Sequence, residues 1–118
     1  MQTAAPVQTI TADALAQRLA AGTVAQFWNV LTDDYFTGAL IPGSSRVPLD
    51  LLGREVAATA LARDTPIVVY CSGPSCPQSR AAAEKLLALG FTDVRAFEGG
   101  LQAWTESGRA VERLTAAA

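Results

Sequence analysis

The stretch IVVYCSGPSCPQSRAAAEKL (67–86) decides the fold. Its apolar run, PIVVYC (66–71), has no polar break until Cys71. A run of that kind between turn residues predicts a central parallel strand covered on both faces. A Gly/Pro/Ser loop follows, and Cys76 lies within it. SRAAAEKLLALG (79–90) then predicts a strong helix that stops at Gly90. Strand, loop and helix in that order form one half of a parallel βαβ unit.

The flanking sequence repeats the alternation. TADALAQRLAAG (11–22) predicts a helix, with Thr11 as N-cap, Leu15 and Leu19 one turn apart, and Gly22 as the stop. VAQFWNVL (24–31) predicts a strand, and TDDYFTG (32–38) a short helix capped by Thr32, with Asp33 and Asp34 as first-turn acids. ALIPGSSRVPLD (39–50) reads as irregular loop. LLGREVAATALA (51–62) is helical, weakened by Gly53 and broken by RDTP. FTDVRAFEGG (91–100) predicts a short strand and a Gly99-Gly100 turn, and LQAWTESG (101–108) a last short helix. Trp28 and Trp104 read as core or lid packing. Arg46 reads as solvated surface, with attraction of an anionic substrate as the alternative. The expected fold class is α/β: a three-layer sandwich with a mostly parallel sheet of about five strands and helices on both faces. Residues 1–8 are expected to be a flexible leader, 9–113 the domain, and 114–118 a frayed tail.

Composition narrows the chemistry. The chain has 118 residues, suits one domain, and is half hydrophobic, so it needs no disulfide framework. A net charge of −2 argues against nucleic acid, and no apolar run reaches the ~20 residues of a membrane span. The opening MQTAAPVQTI lacks a charged n-region and an apolar h-region, so the cytoplasm is the expected compartment and a monomer the expected state. The chain has no histidine. That removes Ser-His-Asp and Cys-His catalysis and makes a zinc site implausible; no metal or cofactor is implied.

In open α/β sheets, ligands bind beyond the carboxyl ends of the strands, where Cys71 falls. The loop offers N–H groups from Ser72, Gly73, Ser75, Cys76, Gln78 and Ser79; Pro74 and Pro77 offer none. Such a nest of amides at a helix start favours an anion, a thiolate included, so a lowered Cys71 pKa is expected. Gly73 is expected at positive φ, and Arg80 to add positive charge at the loop's base. Ser75 with Gln78 fits a capping box that would place Cys76 at the first helical position; Ser79 is a competing N-cap. The spacing alone leaves Cys71 open between packing and reactivity, and allows a Cys71–Cys76 disulfide.

The chain resembles the single-domain rhodanese-like family from about Ile10 to Val111. ITADALAQRLAAG resembles the family's opening helix, and FWNVLTDDYFTGALIPGSSRVPLD its DVR…EEY…GHIPGA…PL region. PIVVYC with its loop and SRAAAEKLLALGF resembles the active-site segment, and VRAFEGGLQAW the closing GG…W signature. The resemblance implies that Cys71 is the catalytic cysteine, and that Ser72 to Ser79, with Arg80, form the substrate loop. It implies a Cys71 persulfide, loaded from a small anionic donor such as thiosulfate and unloaded by cyanide or a thiol acceptor, possibly a protein. The chain departs from the pattern. Asn29 stands for the usual Asp, Leu31-Thr32 for the usual Arg, GAL for GH, and the loop is about two residues longer and holds Cys76.

Two other readings stay open: a thiol–disulfide or persulfide-relay protein in which Cys76 resolves a Cys71 intermediate, and a non-catalytic binding module. Phosphatases of this fold need Cys-x5-Arg. That position is Pro77 counted from Cys71 and Ala82 counted from Cys76, so Arg80 is out of register and phosphatase chemistry is excluded.

Overall fold

The computed structural model describes residues 7–113. Five parallel strands form the sheet in the order β1-β6-β5-β2-β4: β1 Gln8–Thr9, β2 Gln26–Asn29, β4 Ser45–Arg46, β5 Ile67–Tyr70 and β6 Val94–Phe97. A separate antiparallel pair joins β3 Ala39–Leu40 to β7 Glu112–Arg113. The helices are α1 Ala12–Ala21, α2 Leu52–Thr59, α3 Gln78–Ala88 and α4 Gly100–Glu106, with a 3-10 turn at Leu49–Leu51 before α2. The expected α/β sandwich is the observed one.

β5 is central, paired with β2 on one side and β6 on the other. All four of its residues are buried, which is why no polar residue interrupts the run. Alternation divides them between two cores. Ile67 and Val69 pack with Leu52 and Val56 of α2 and Ala82, Ala83 and Leu86 of α3. Val68 and Tyr70 pack on the other face with Leu15 of α1, Phe97 and Trp104 of α4. The expected burial of Trp28 and Trp104 holds, at 5% and 6% exposure. α1 is capped as its sequence dictates: Thr11 Oγ1 accepts from Ala14 N, and Gly22 ends the helix in the left-handed region at φ 72°.

Four local expectations change. Gln8, placed in the leader, begins β1; residues 1–6 and the tail 114–118 lie outside the described residues. The helix expected at 32–38 is a single turn, in which Tyr35 N and Phe36 N both donate to Thr32 O. The irregular stretch 39–50 contains β3 and β4, and β4 extends the sheet beside β2. The helix expected over 51–62 ends at Thr59, with Ala60 left-handed behind it.

Arg46 explains how so short a strand as β4 is held. Its side chain is 16% exposed, so it is not solvated surface. One guanidinium nitrogen donates to Asn29 Oδ1 at 3.2 Å and to Leu31 O; the other meets Asp33 Oδ1 at 2.7 Å. The guanidinium also stacks 3.9 Å from the Phe36 ring centroid. Asp33 therefore serves this ion pair rather than a helix dipole, and Asp34 accepts from the Thr32 hydroxyl. Asn29 is fully buried, its Nδ2 donating to Ala39 O and its Oδ1 accepting from Leu31 N. Arg46→Ala is expected to cost about 2 kcal/mol in urea unfolding, because Leu31 O and Asn29 Oδ1 lose a charged donor and the Phe36 ring its stacked guanidinium. A loss below about 0.5 kcal/mol would show the clamp to be incidental.

Candidate active site

The loop after β5 is shaped by three contacts. First, Gly73 O accepts from Cys76 N at 3.0 Å, closing a β-turn over Gly73-Pro74-Ser75-Cys76. Pro74 takes the second position, where its fixed φ suits the turn. This turn places Cys76 half-buried at the edge of the loop. Second, the N-terminus of α4 docks on the loop: Leu101 N donates to Cys71 O at 3.0 Å and Gln102 N to Ser72 O at 2.9 Å. Gly100 makes that approach possible. At φ 58°, a Cβ there would sit 2.4 Å from Cys71 O and 2.8 Å from Gly73 N. The Gly99-Gly100 pair thus shapes the base of the loop as well as the turn. Third, Gln78 ties the loop to the segment after β2. Thr32 N donates to Gln78 Oε1 at 3.1 Å, and Gln78 Nε2 donates to Thr32 Oγ1 at 3.0 Å.

These contacts revise the sequence-based details. Gln78 is engaged with Thr32, so no capping box forms with Ser75. α3 starts at Gln78 behind Pro77 with no side-chain cap; Cys76 precedes the helix and Ser79 lies inside its first turn. Gly73 has no positive φ; a Cβ there would meet the Gln102 side chain, with Oε1 at 2.9 Å and Cβ at 3.2 Å. Arg80 turns to Glu98, with Nε 2.9 Å from Oε2, so its charge at the loop's base is matched by an acid.

The loop does bring Cys71 and Cys76 together, as two free thiols. They differ sharply in setting. Cys71 is fully buried, and its thiol donates to Cys76 O at 3.4 Å. Burial, and then the hydrogen bond to the Cys76 thiol, push Cys71 above the usual thiol range; the hydroxyl and amide of Ser79 pull the other way and lose. The expected lowering of Cys71 is therefore reversed, because desolvation outweighs the few donors that reach it. Cys76 sits half-buried at the rim. Burial opposes its thiolate, but the bond from Cys71, the amides of Gln78 and Ser72 and the Ser72 hydroxyl outweigh it, and its pKa falls below the usual value.

Ser79 has a further peculiarity. Its side chain is fully buried, and its Oγ has no hydrogen-bond partner. The hydroxyl and the amide both lie beside Cys71, where they favour a negative charge on its sulfur. Among the described residues, the amides of Ser72, Gly73, Ser75, Gln78 and Ser79 likewise have no backbone acceptor.

A cavity of about 390 Å³ opens over the loop, lined by Leu31, Tyr35, Ser72, Ser75, Cys76, Pro77 and Gln78. Cys76 lines it and Cys71 does not. A second hollow of about 250 Å³ lies on the other side of Cys76, walled by Pro74, Pro77, Arg80 and Glu98. Sequence analysis gave Tyr35 no role, yet it stands 65% exposed at the cavity's edge. An exposed aromatic in a single hydrogen-bonded turn has no periodic signal to flag it. Among the described residues no cluster of three or more acidic, thiol or imidazole groups is placed to hold a metal, and no helix is long and apolar enough to cross a membrane.

A parallel α/β sheet with a cysteine-bearing loop at its carboxyl rim, braced by a Gly-Gly helix start, defines the class. Residues 11–107 match the Rhodanese-like domain family, and the chain belongs to it. The chain is similar to the solution structure of a rhodanese-like domain from an Anabaena sp. protein: 28% identity, 96% of this chain and 87% of that one covered, TM-score 0.72. A rhodanese-related protein from Thermoplasma volcanium is 27% identical over 89% of this chain and 97% of its own, with a TM-score of 0.70. A thiosulfate sulfurtransferase from Pseudomonas aeruginosa is 25% identical, with a TM-score of 0.75, over 91% of this chain but 20% of that protein. No curated protein matches the chain.

Two outcomes are expected. With iodoacetamide at pH 7, Cys76 alkylates at least about tenfold faster than Cys71, read peptide by peptide by mass spectrometry; faster labelling of Cys71 would contradict the two settings described. Gly100→Ala costs about 2–3 kcal/mol in chemical unfolding, since both the positive φ and the close approach are lost; a neutral result would mean that α4 does not bear on the loop.

Proposed function

We propose that the chain is a sulfurtransferase that carries sulfur as a persulfide on Cys71, taking it from a small anionic donor, thiosulfate being the simplest, and giving it to cyanide or a thiol acceptor. The observation that carries this reading is the buried, unpartnered Ser79 hydroxyl beside Cys71, with the Ser79 amide next to it. A buried donor without an acceptor is costly in the resting protein, by about 1–3 kcal/mol. It is recovered when an anion forms at Cys71. A persulfide is a stronger acid than the parent thiol, so adding one sulfur supplies that anion where the thiol does not.

The persulfide also answers the burial of Cys71. One S–S bond of about 2 Å sets the transferable atom beyond the buried Cys71 sulfur. No imidazole base enters this scheme, which suits a chain without histidine. Family membership and the likeness to a thiosulfate sulfurtransferase support the same reaction class. The expected setting is the cytoplasm, whose reducing conditions keep both thiols free.

The test is intact-protein mass spectrometry after incubation with thiosulfate, followed by thiocyanate release on adding cyanide. Wild type is expected to gain one sulfur and release it as thiocyanate. Cys71→Ser is expected to lower thiocyanate turnover by at least about a hundredfold. Loss of two hydrogens with no added sulfur would replace this reading by a thiol–disulfide protein using Cys71 and Cys76. Turnover undiminished in Cys71→Ser would remove Cys71 as the carrier.

A further inference from the structure

The chain holds two cysteines, and the fold brings both to one place. The turn that bonds Cys76 N to Gly73 O at 3.0 Å folds the loop back on itself, so that the carbonyl of Cys76 comes within 3.4 Å of the Cys71 sulfur. Each thiol perturbs the other's acidity through a hydrogen bond between them. Main-chain contacts have thus already closed the loop, and little closure entropy remains to oppose a covalent link across it. Access to the pair is one-sided. Cys76 lines the cavity over the loop and also the neighbouring hollow beside Arg80 and Glu98. Cys71 is fully buried and lines neither. A small solute entering from either side meets Cys76 first.

We propose that Cys76 is an oxidation site: a small hydroperoxide converts it to a sulfenic acid, Cys71 condenses with it, and the resulting Cys71–Cys76 disulfide closes the loop until a dithiol reduces it. The bond itself needs nothing from the sulfur-transfer reading. Its consequence rests on that reading: the carrier thiol is withdrawn from turnover and spared further oxidation. The lowered pKa of Cys76 agrees with its place, since the thiolate is the form that oxidants attack.

The chemistry balances in two steps. The Cys76 thiolate attacks one peroxide oxygen and forms an S–O bond. The O–O bond breaks, and its electron pair leaves with the other oxygen, which takes a proton from water. The Cys76 sulfur is oxidised by two electrons and the peroxide is reduced by two. The Cys71 sulfur then attacks the Cys76 sulfur and forms the S–S bond. The S–O bond breaks, and the hydroxyl departs with the Cys71 proton as water. The hydroxyl of Ser79, buried and without a partner, and the Ser79 amide both favour negative charge on the Cys71 sulfur as it gives up that proton.

The experiment treats the reduced protein with equimolar hydrogen peroxide, without thiosulfate, alkylates it with N-ethylmaleimide and reads the intact mass. Wild type is expected to lose two hydrogens and to take no label, with both cysteines joined inside the tryptic peptide 64–80. In Cys76→Ser the remaining thiol is expected to be oxidised at least about tenfold more slowly than the wild-type pair. Cys71→Ser is expected to stop at a Cys76 sulfenic acid, which dimedone traps and excess peroxide carries to the sulfinic acid. Fragment ions separate these products from oxygen added at Met1, the single methionine. Oxidised wild type is expected to take up less than about a tenth of the sulfur that the reduced protein takes from thiosulfate, and dithiothreitol to restore the uptake. Oxygen added to wild type with the thiols unjoined, a disulfide between two chains, oxidation of Cys76→Ser at the wild-type rate, or full sulfur uptake by the oxidised protein would each overturn the proposal. If the reduced protein takes no sulfur from thiosulfate, the sulfur-transfer reading falls, and the disulfide is then judged by its mass and by the two variants.

Discussion

The site depends on one backbone contact: the first amides of α4 hydrogen-bonded to the carbonyls of Cys71 and Ser72. A strand that ends at the sheet's rim leaves its next carbonyls unpaired, and a buried carbonyl without a donor is expensive. Here the helix that follows the neighbouring strand supplies the donors. It can do so only because Gly100 lacks a Cβ and tolerates φ 58°. With the carbonyls of Cys71 and Ser72 satisfied in this way, the loop is held where the Ser79 amide reaches Cys71 and the Ser72 and Gln78 amides reach Cys76.

The two cysteines follow from this arrangement. Cys71 is held at the base by the strand and roofed by the turn through Cys76, so desolvation dominates its acidity. Cys76 sits where the turn has raised it, between two hollows, within reach of the Ser72 and Gln78 amides. Five residues of separation thus yield one fully buried thiol and one that lines the cavity. Gln78 grips Thr32 through two hydrogen bonds, tying the segment that bears Leu31 and Tyr35 to the loop that bears Cys76.

Much of this was legible from residue patterns. β5 announced itself as an unbroken apolar run because both of its faces are covered. α1 was marked by its Thr11 cap, its period and its terminal glycine, α3 by its unbroken helical run up to Gly90, and the cysteine loop by its place after β5. β4 was not legible: two residues have no period, and the strand exists because Arg46 reaches back to Asn29 and Leu31. The turn at Thr32 looked like a helix start because Thr-Asp-Asp is a capping pattern; tertiary bonds to Gln78 and Arg46 captured those groups instead. The acidity of the two thiols could not be ordered from spacing, since it turns on the balance of burial and hydrogen bonds at each sulfur: burial prevails at Cys71 and hydrogen bonds at Cys76.

The sheet's outer strands have a consequence of their own. β1 and β4 contribute two residues each, and Pro48 follows closely behind β4. A growing fibril needs a rim with several consecutive unpaired main-chain groups on which a stranger can lie down. These margins present too few for that, so the molecule's flanks resist templated stacking, even though its middle strand, IVVY, is the kind of segment that would stack readily if it were ever laid bare.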